Sequence, residues 1–523
     1  MQDDSTTQFY VRWLGLFLGP LLCCLCLYFL PTEYTTSQAP SAAEQVGATA
    51  PSSIVEFSWA GRATLAVMLW MGVWWLTEPI HITATALLPI VVFPWIGAAT
   101  IEQACESYAS HLIYLYFGGF VLALSMEYWG LGKRVALLTL RIVGTSSSSM
   151  IGGFMLVTAT LSAFVSNTAT ATMMLPIALS IIGLLKRQFA GQGEQAQAQL
   201  ERFGVCLLLA IAYSASIGGV ATIIGTPPNA FTVAFLRKAP YSIDFSFQGW
   251  LPIGVSFCVV FLPIAYVLLT RMLFPVREVA IAGGRQLIDS ELSKLGKVSR
   301  GEWNTMAVFL LVVTLWLFRP LLGNISIGWQ GSSYQPLKNL SDSGIAMLGA
   351  MLLFLFPTNI KRREFTMTWE RAEKLPWGIL VLFGGGLSLA DAVERNGVAE
   401  YLGSHVGAFA GLPPIVLVLA VVASIVFLTE LTSNAATTAS LVPVLAALAP
   451  GLGIHPALLV IPATVAASCA FMLPVATPPN AIVFGSGIIT VPQMARAGLA
   501  LNLVSVLLVT VLTFVVVKPY LGI

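Results

Sequence analysis

Charge is what this chain has least of: of 523 residues only 10% are Asp, Glu, Lys or Arg, against 57% hydrophobic, and the mean hydropathy is +0.84. A soluble globular chain carries more charge than that. The net charge of +2, with no basic run interleaved with aromatics, also excludes a nucleic-acid surface. Cysteines are few. The seven at positions 23, 24, 26, 105, 206, 258 and 469 lie mostly in apolar runs and read as small buried hydrophobes, and Cys23, Cys24 and Cys26 have no His or Cys partner at ligand spacing. HExxH, GxSxG and P-loop patterns are missing as well. Without them the chain reads as neither an enzyme nor a holder of an organic cofactor.

What remains is apolar sequence in long pieces. Runs of about 20 residues, enough to cross ~30 Å of hydrocarbon, recur from Trp13 almost to Lys518, so the chain is predicted to be an all-α polytopic membrane protein. An outer-membrane barrel would show short alternating segments instead. The first run, after Arg12 and ending near Leu30, exceeds the roughly 7 to 15 apolar residues of a signal peptide and reads as a retained span. The loop 31–61 holds Glu33, Glu44 and Glu56 with no Lys or Arg, which places it outside and the N-terminus in the cytoplasm. The basic segments 271–303 and 361–376 belong inside. The first of them divides the chain, giving a span and loop over 1–61, one half over 62–270, a connector over 271–303 and a second half over 304–523.

The halves repeat each other. FGGF from Phe117, SNTATATMMLP from Ser166 and GTPPNA from Gly225 are answered by FGGG from Phe383, SNAATTASLVP from Ser433 and ATPPNA from Ala476. The first two stations lie 49 residues apart in one half and 50 in the other. The second and third lie 59 apart against 43, an excess that the polar segment 186–203 accounts for as a loop insertion. Lys133, Arg134, Arg141, Lys186, Arg187 and Arg202 flank the first SN segment against Glu127, Glu194 and Glu201, whereas Asp391, Glu394 and Glu400 flank the second with Arg395 alone to compensate, and no Lys or Arg occurs from 450 to 491. The first is thus entered from the cytoplasm and the second from outside, making the repeats inverted. Arg237 and Lys238, on the outer side of this scheme, do not fit it.

Around Ser166 and Ser433 the apolar stretches, 150–185 and 420–448, read as re-entrant hairpins with SN at the tip, because non-helical backbone at membrane depth needs protein or a watery cavity to satisfy it. Pro227, Pro228, Pro478 and Pro479 must break the helices that hold them. A break exposes carbonyls that suit Na⁺ and N–H groups that suit a carboxylate. No Lys or Arg occurs in these stations, so an anionic substrate would rely on helix termini and co-bound cations. Glu430, three residues before Ser433, either compensates a cation or caps its hairpin; Glu78 and His81 read as structural.

On WWLTEPIHITATALLP from Trp74, the paired SN segments and the paired TPPNA segments, the chain resembles the divalent anion:sodium symporter family over nearly all its length. That family includes bacterial dicarboxylate transporters and animal sodium-coupled carboxylate and sulfate carriers. The resemblance implies about eleven spans plus two hairpins per protomer, a homodimer, and an elevator-like movement of a transport part against a scaffold. By resemblance, one sodium site involves Ser162, Ser166, Asn167 and Gly225, and another Thr429, Thr432, Asn434 and Ala476. The substrate carboxylates meet Asn167, Thr168, Ser433 and Asn434, with Thr226, Pro227, Thr477 and Pro478 beside them. Ala435 departs from the Thr common in the family's second motif. The implied activity is Na⁺-driven uptake of succinate, fumarate or malate across a bacterial cytoplasmic membrane, with membrane lipid around it. A Na⁺-independent dicarboxylate exchanger and a citrate or sulfate carrier of the same architecture are the alternatives.

Overall fold

The computed structural model describes residues 2–37, 52–238, 241–329 and 332–523. Helices carry the architecture. In the first half, α1 (Gln2–Phe29) is followed by α2 (Trp59–Thr77), the short α3 (Ile82–Thr85), α4 (Leu88–Ile96) and α5 (Ile101–Glu106), then α6 (His111–Tyr128) and α7 (Leu131–Val143). There follow α8 (Ser147–Ser162), α9 (Asn167–Gln188), α10 (Glu194–Gly219), α11 (Pro227–Arg237) and α12 (Phe247–Val267). The connector holds α13 (Gly284–Lys294). The second half runs α14 (Arg300–Gly323), α15 (Asp342–Leu355), α16 (Trp369–Ala372), α17 (Trp377–Arg395) and α18 (Val398–His405). It ends with α19 (Pro414–Leu428), α20 (Asn434–Leu448), α21 (Ala457–Ala467), α22 (Pro478–Phe484), α23 (Val491–Leu512) and α24 (Lys518–Leu521). Among the described residues three two-stranded antiparallel pairs decorate the loops; one of them, Glu33–Ser37 with Ser52–Glu56, lies within the loop 31–61.

Among the described residues eight helices are long and apolar enough to cross a membrane. Helices α8, α19, α20 and α21 are apolar but shorter. A 16-residue α8 rises only about 24 Å, short of a span, whereas α9 after it and α10 before the first break are both among the eight. Starts are set by polar caps at the ends of apolar runs: Ser58, Ser146, Ser166, Ser246 and Ser341 each accept a backbone N–H of the first turn, and Ser299 with Glu302 forms a capping box. The first run, Phe9–Phe29, is long and apolar enough to cross a membrane and is tied to α2, where Trp74 Nε1 donates to Gly15 O at 3.1 Å.

Two large apolar cores and a small one at Met126, Leu131 and Val165 result among the described residues. One gathers α2, α6, α11, α17 and α20 around Trp75, Tyr116, Phe231 and Phe383. The other gathers α8, α9, α10, α12, α21 and α23 around Phe154, Phe257, Phe261 and Phe471. The FGGF and FGGG stations serve this packing: a Cβ on Gly118 would fall 2.5 Å from Ala346 O, and one on Gly385 would fall 2.1 Å from Ala86 O. Cys23, Cys206 and Cys469 are buried as read from the sequence, but Cys24 and Cys105 are exposed, since burial in an apolar helix depends on which face looks inward. The misfit cations are neutralised locally. Arg237 pairs with Asp244 at 3.0 Å and Lys238 with Asp391 at 2.5 Å.

Candidate functional site at the paired helix starts

All four polar stations are helix N-termini. Ser166 caps α9 and Ser433 caps α20, while Thr226 and Thr477 cap α11 and α22, whose first residues are Pro227 and Pro478. Proline at the first helical position loses no hydrogen bond there and has its φ already set. Across the halves, α9 packs on α22 and α11 packs on α20. Each N-terminus carries a partial positive charge of about half an elementary unit, which is the electrostatic provision for an anion where no cationic side chain exists.

The cation-suited oxygens lie beside those starts and are repeated. Behind the first tip, the buried Ser162 hydroxyl lies 2.6 Å from Asn167 Oδ1 and 2.7 Å from Ala215 O. Behind the second, the buried Thr429 hydroxyl lies 2.9 Å from Asn434 Oδ1 and 2.9 Å from Ala467 O. A hydroxyl has one proton, so two acceptors share it and each cluster holds a surplus of oxygen lone pairs. Backbone closes round the first cluster: a Cβ on Gly219 would sit 2.5 Å from Asn167 Oδ1, and one on Gly225 would sit 2.4 Å from Gly219 O and 3.0 Å from Ala163 O. Only glycine allows carbonyls that close. Ala476 occupies the place of Gly225 in the second half and is buried.

Not every residue named by resemblance points the same way. The Thr432 hydroxyl is turned into its own hairpin, bonded to Leu428 O at 3.0 Å and Thr437 Oγ1 at 2.6 Å, and does not join Thr429 and Asn434. Ser166 and Thr168 are exposed at the first tip, whereas Ser433, Asn434 and Ala435 are half-buried at the second. Ser166 receives the Ala169 N–H at 3.2 Å, but Ser433 makes no side-chain cap bond. Thr226 and Thr477 are buried, and Thr477 accepts the Asn480 N–H at 3.4 Å.

The breaks are braced by residues to which the sequence assigned no role. Asn229 Nδ2 donates to the carbonyls of Gly219, Val220 and Thr222 at 3.3, 3.1 and 2.8 Å. Asn480 repeats this on Ala470 and Leu473 at 3.3 and 3.0 Å. Each Asn thus ties the end of one half-helix to the start of the next. Glu430 braces the second break from the other side, its buried carboxylate accepting from the N–H groups of Phe471, Met472 and Leu473 at 2.7 to 3.1 Å and from Asn502 Nδ2 at 2.8 Å. Of its two sequence readings, cation compensation and capping of its own hairpin, neither describes these bonds: the carboxylate caps the break between α21 and α22. An Asn within each apolar segment was the available signal, because an amide is costly in hydrocarbon without partners. Glu78, in the left-handed region at φ 46°, ends α2, and His81 accepts the Thr83 N–H to start α3, both structural as read.

The chain is similar to the sodium-dependent dicarboxylate transporter SdcS of Staphylococcus saprophyticus, 38% identical over 97% of this chain and 92% of that one. The SdcS of Staphylococcus aureus is 38% identical over 98% and 92%. Among solved structures, the YdaH transporter of Alcanivorax borkumensis shares the fold at TM-score 0.55 and 14% identity over 99% of this chain and 98% of that one. The MtrF protein of Neisseria gonorrhoeae does so at 0.58 and 11% over 97% of both. The model of the sodium:sulfate symporter transmembrane region matches residues 50–521, and with such relatives over nearly the whole length the chain belongs to that symporter family.

Proposed function

We propose that this protein is a Na⁺-coupled importer of C4-dicarboxylates such as succinate, fumarate or malate. One observation carries the reading: four helix N-termini at repeated stations, without a Lys or Arg among them, each SN tip backed by a cluster of surplus oxygens. Dianions are matched by the N-termini and Na⁺ by the oxygens. The SdcS relatives, sodium-dependent dicarboxylate transporters, support the same substrate class. In this reading Na⁺ binds first at Ser162, Ser166, Asn167 and Gly225 and at Thr429, Thr432, Asn434 and Ala476, with Thr432 contributing through its backbone, since its hydroxyl is engaged elsewhere. Ordering of the tips then creates the carboxylate site at Asn167, Thr168, Ser433 and Asn434, beside Thr226, Pro227, Thr477 and Pro478. The two inverted repeats, 62–270 and 304–523, supply a transport part that moves as an elevator against a dimerising scaffold in the cytoplasmic membrane, N-terminus inside.

The test is labelled succinate uptake into proteoliposomes with an inward Na⁺ gradient. Replacing Na⁺ by choline is expected to stop net uptake. Asn167→Ala and Asn434→Ala are each expected to reduce uptake about 100-fold or more, while the protein stays folded by size-exclusion profile. Choline-insensitive uptake that needs internal dicarboxylate would identify the exchanger instead, and sulfate or citrate outcompeting succinate would identify that carrier.

A further inference from the structure

Helix α7 has thirteen residues, too few to span a bilayer, yet its outward face is apolar. Val135, Leu138 and Ile142, spaced to share one face, are exposed by 39%, 43% and 84%, while Leu131, Ala136, Leu137 and Leu140 are buried against the protein. Such a helix, apolar outward and carrying Lys133, Arg134 and Arg141, suits the boundary between headgroups and acyl chains.

Between α7 and α13 lies an open cleft of about 470 Å³. Leu138, Leu292 and Val298 line it with apolar surface, and Arg134 and Arg141 supply charge. Arg134 is committed, bound to Glu302 at 2.6 Å and to the carbonyls of Leu295 and Gly296. Arg141 is not: its partner Asp289, 2.9 Å away, also lines the cleft, and the two side chains are 45% and 41% exposed. An ion pair that open contributes at most about 1 kcal/mol, so an incoming phosphate can displace the carboxylate. Arg285 is exposed one turn before Asp289 on α13 and is in no ion pair among the described residues. Segments 131–143 and 284–302 together hold seven Lys or Arg against three Asp or Glu, a local charge of +4.

The repeat provides an internal comparison. α18 is the counterpart of α7, each following a glycine of left-handed conformation, Gly130 at φ 71° and Gly397 at φ 68°. α18 contains no Lys or Arg, carries Glu400, and buries Val398 and Tyr401. The fold therefore works with a helix here that is neither cationic nor apolar outward, and the departure in α7 points to something outside the protein.

We propose that the α7–α13 cleft holds the headgroup phosphate of an anionic phospholipid, on Arg141 and Arg285, with the acyl chains lying along Val135, Leu138 and Ile142. Since α7 joins α6 to the first hairpin, the lipid would fix the membrane depth of the segment from which that hairpin hangs.

The test is thermal melting of the purified full-length protein in a neutral detergent, titrated with short-chain phosphatidylglycerol, short-chain phosphatidylcholine or glycerol phosphate. Phosphatidylglycerol is expected to raise Tm saturably and the other two not to. Arg141→Gln with Arg285→Gln should weaken the apparent affinity about tenfold or more without lowering the starting Tm, and Arg141→Gln alone should weaken it by a smaller factor. Lys361→Gln with Arg362→Gln, on another basic segment, should leave it unchanged. Equal stabilisation by phosphatidylcholine, or unchanged affinity in the arginine variants, would overturn the proposal. An equal response to glycerol phosphate would do so too, by making this a site for a free anion.

Discussion

Glu430 is the most consequential single side chain outside the tips. An ionised carboxylate buried at 3% exposure costs several kcal/mol unless its lone pairs are filled, and three consecutive backbone N–H groups with Asn502 fill them. Glu430→Gln keeps the shape but turns an NH₂ toward those donors. Because hydrogen bonds to a charged group contribute about 1.5–3 kcal/mol, melting in detergent should show a loss of about that size, recovered in Glu430→Asp only if the shorter side chain still reaches Met472. Ala435 is the other telling position. It sits half-buried, second in α20, where the first hairpin has Thr168 at the equivalent place. Restoring a hydroxyl by Ala435→Thr is expected to lower the KM for succinate about 10-fold or more in the uptake assay, since one added hydrogen bond to an anion contributes about 1.5–3 kcal/mol. The tip asparagines were legible because polar residues in apolar sequence are conspicuous. The partners of Glu430, 41 to 72 residues away in the chain, were not.

Among the helices, α11 links the site to its surroundings. Its N-terminus is the Thr226–Pro227 station, and its C-terminal Lys238 bonds Asp391 of α17 and Ser107 after α5. Phe231 packs against Phe383 and would meet any Cβ on Gly386, so the body of α11 is fitted to α17 as well. The Lys238–Asp391 pair is only about a quarter exposed, which puts it at the upper end of what surface pairs contribute. Lys238→Ala and Asp391→Ala should each lower Tm, and the double-mutant cycle should give a coupling of about 1 kcal/mol. The exchanged pair, Lys238→Asp with Asp391→Lys, should recover part of the loss. A coupling near zero would show that the pair is incidental. Helix existence, caps and breaks were readable from Ser, Thr and Pro at the ends of apolar runs. Which break packs on which hairpin was not, since α9 meets α22 and α11 meets α20 across the halves.

For the whole chain, the proposed inversion of the repeats makes a sidedness prediction. In a cysteine-free background, Gln192→Cys beyond α9 is expected to react with a membrane-impermeant maleimide only from the cytoplasm, and Gly453→Cys beyond α20 only from outside. Labelling of both from one side would make the repeats parallel and remove the basis for placing two tips at one depth. Arg237 and Lys238, each paired with an Asp, remain the two cations that do not fit the proposed inversion.

The membrane class, the duplication and the four polar stations were already present in the linear order of residues, because hydropathy, proline geometry and capping act over a few residues and leave a local trace. The pairing of Lys238 with Asp391 joins residues 153 positions apart, and the bracing of each break by Asn229, Asn480 and Glu430 depends on which helix lies against which. Those contacts follow from the packing of two large apolar cores against each other, and no local pattern encodes a neighbour that the chain reaches only after folding.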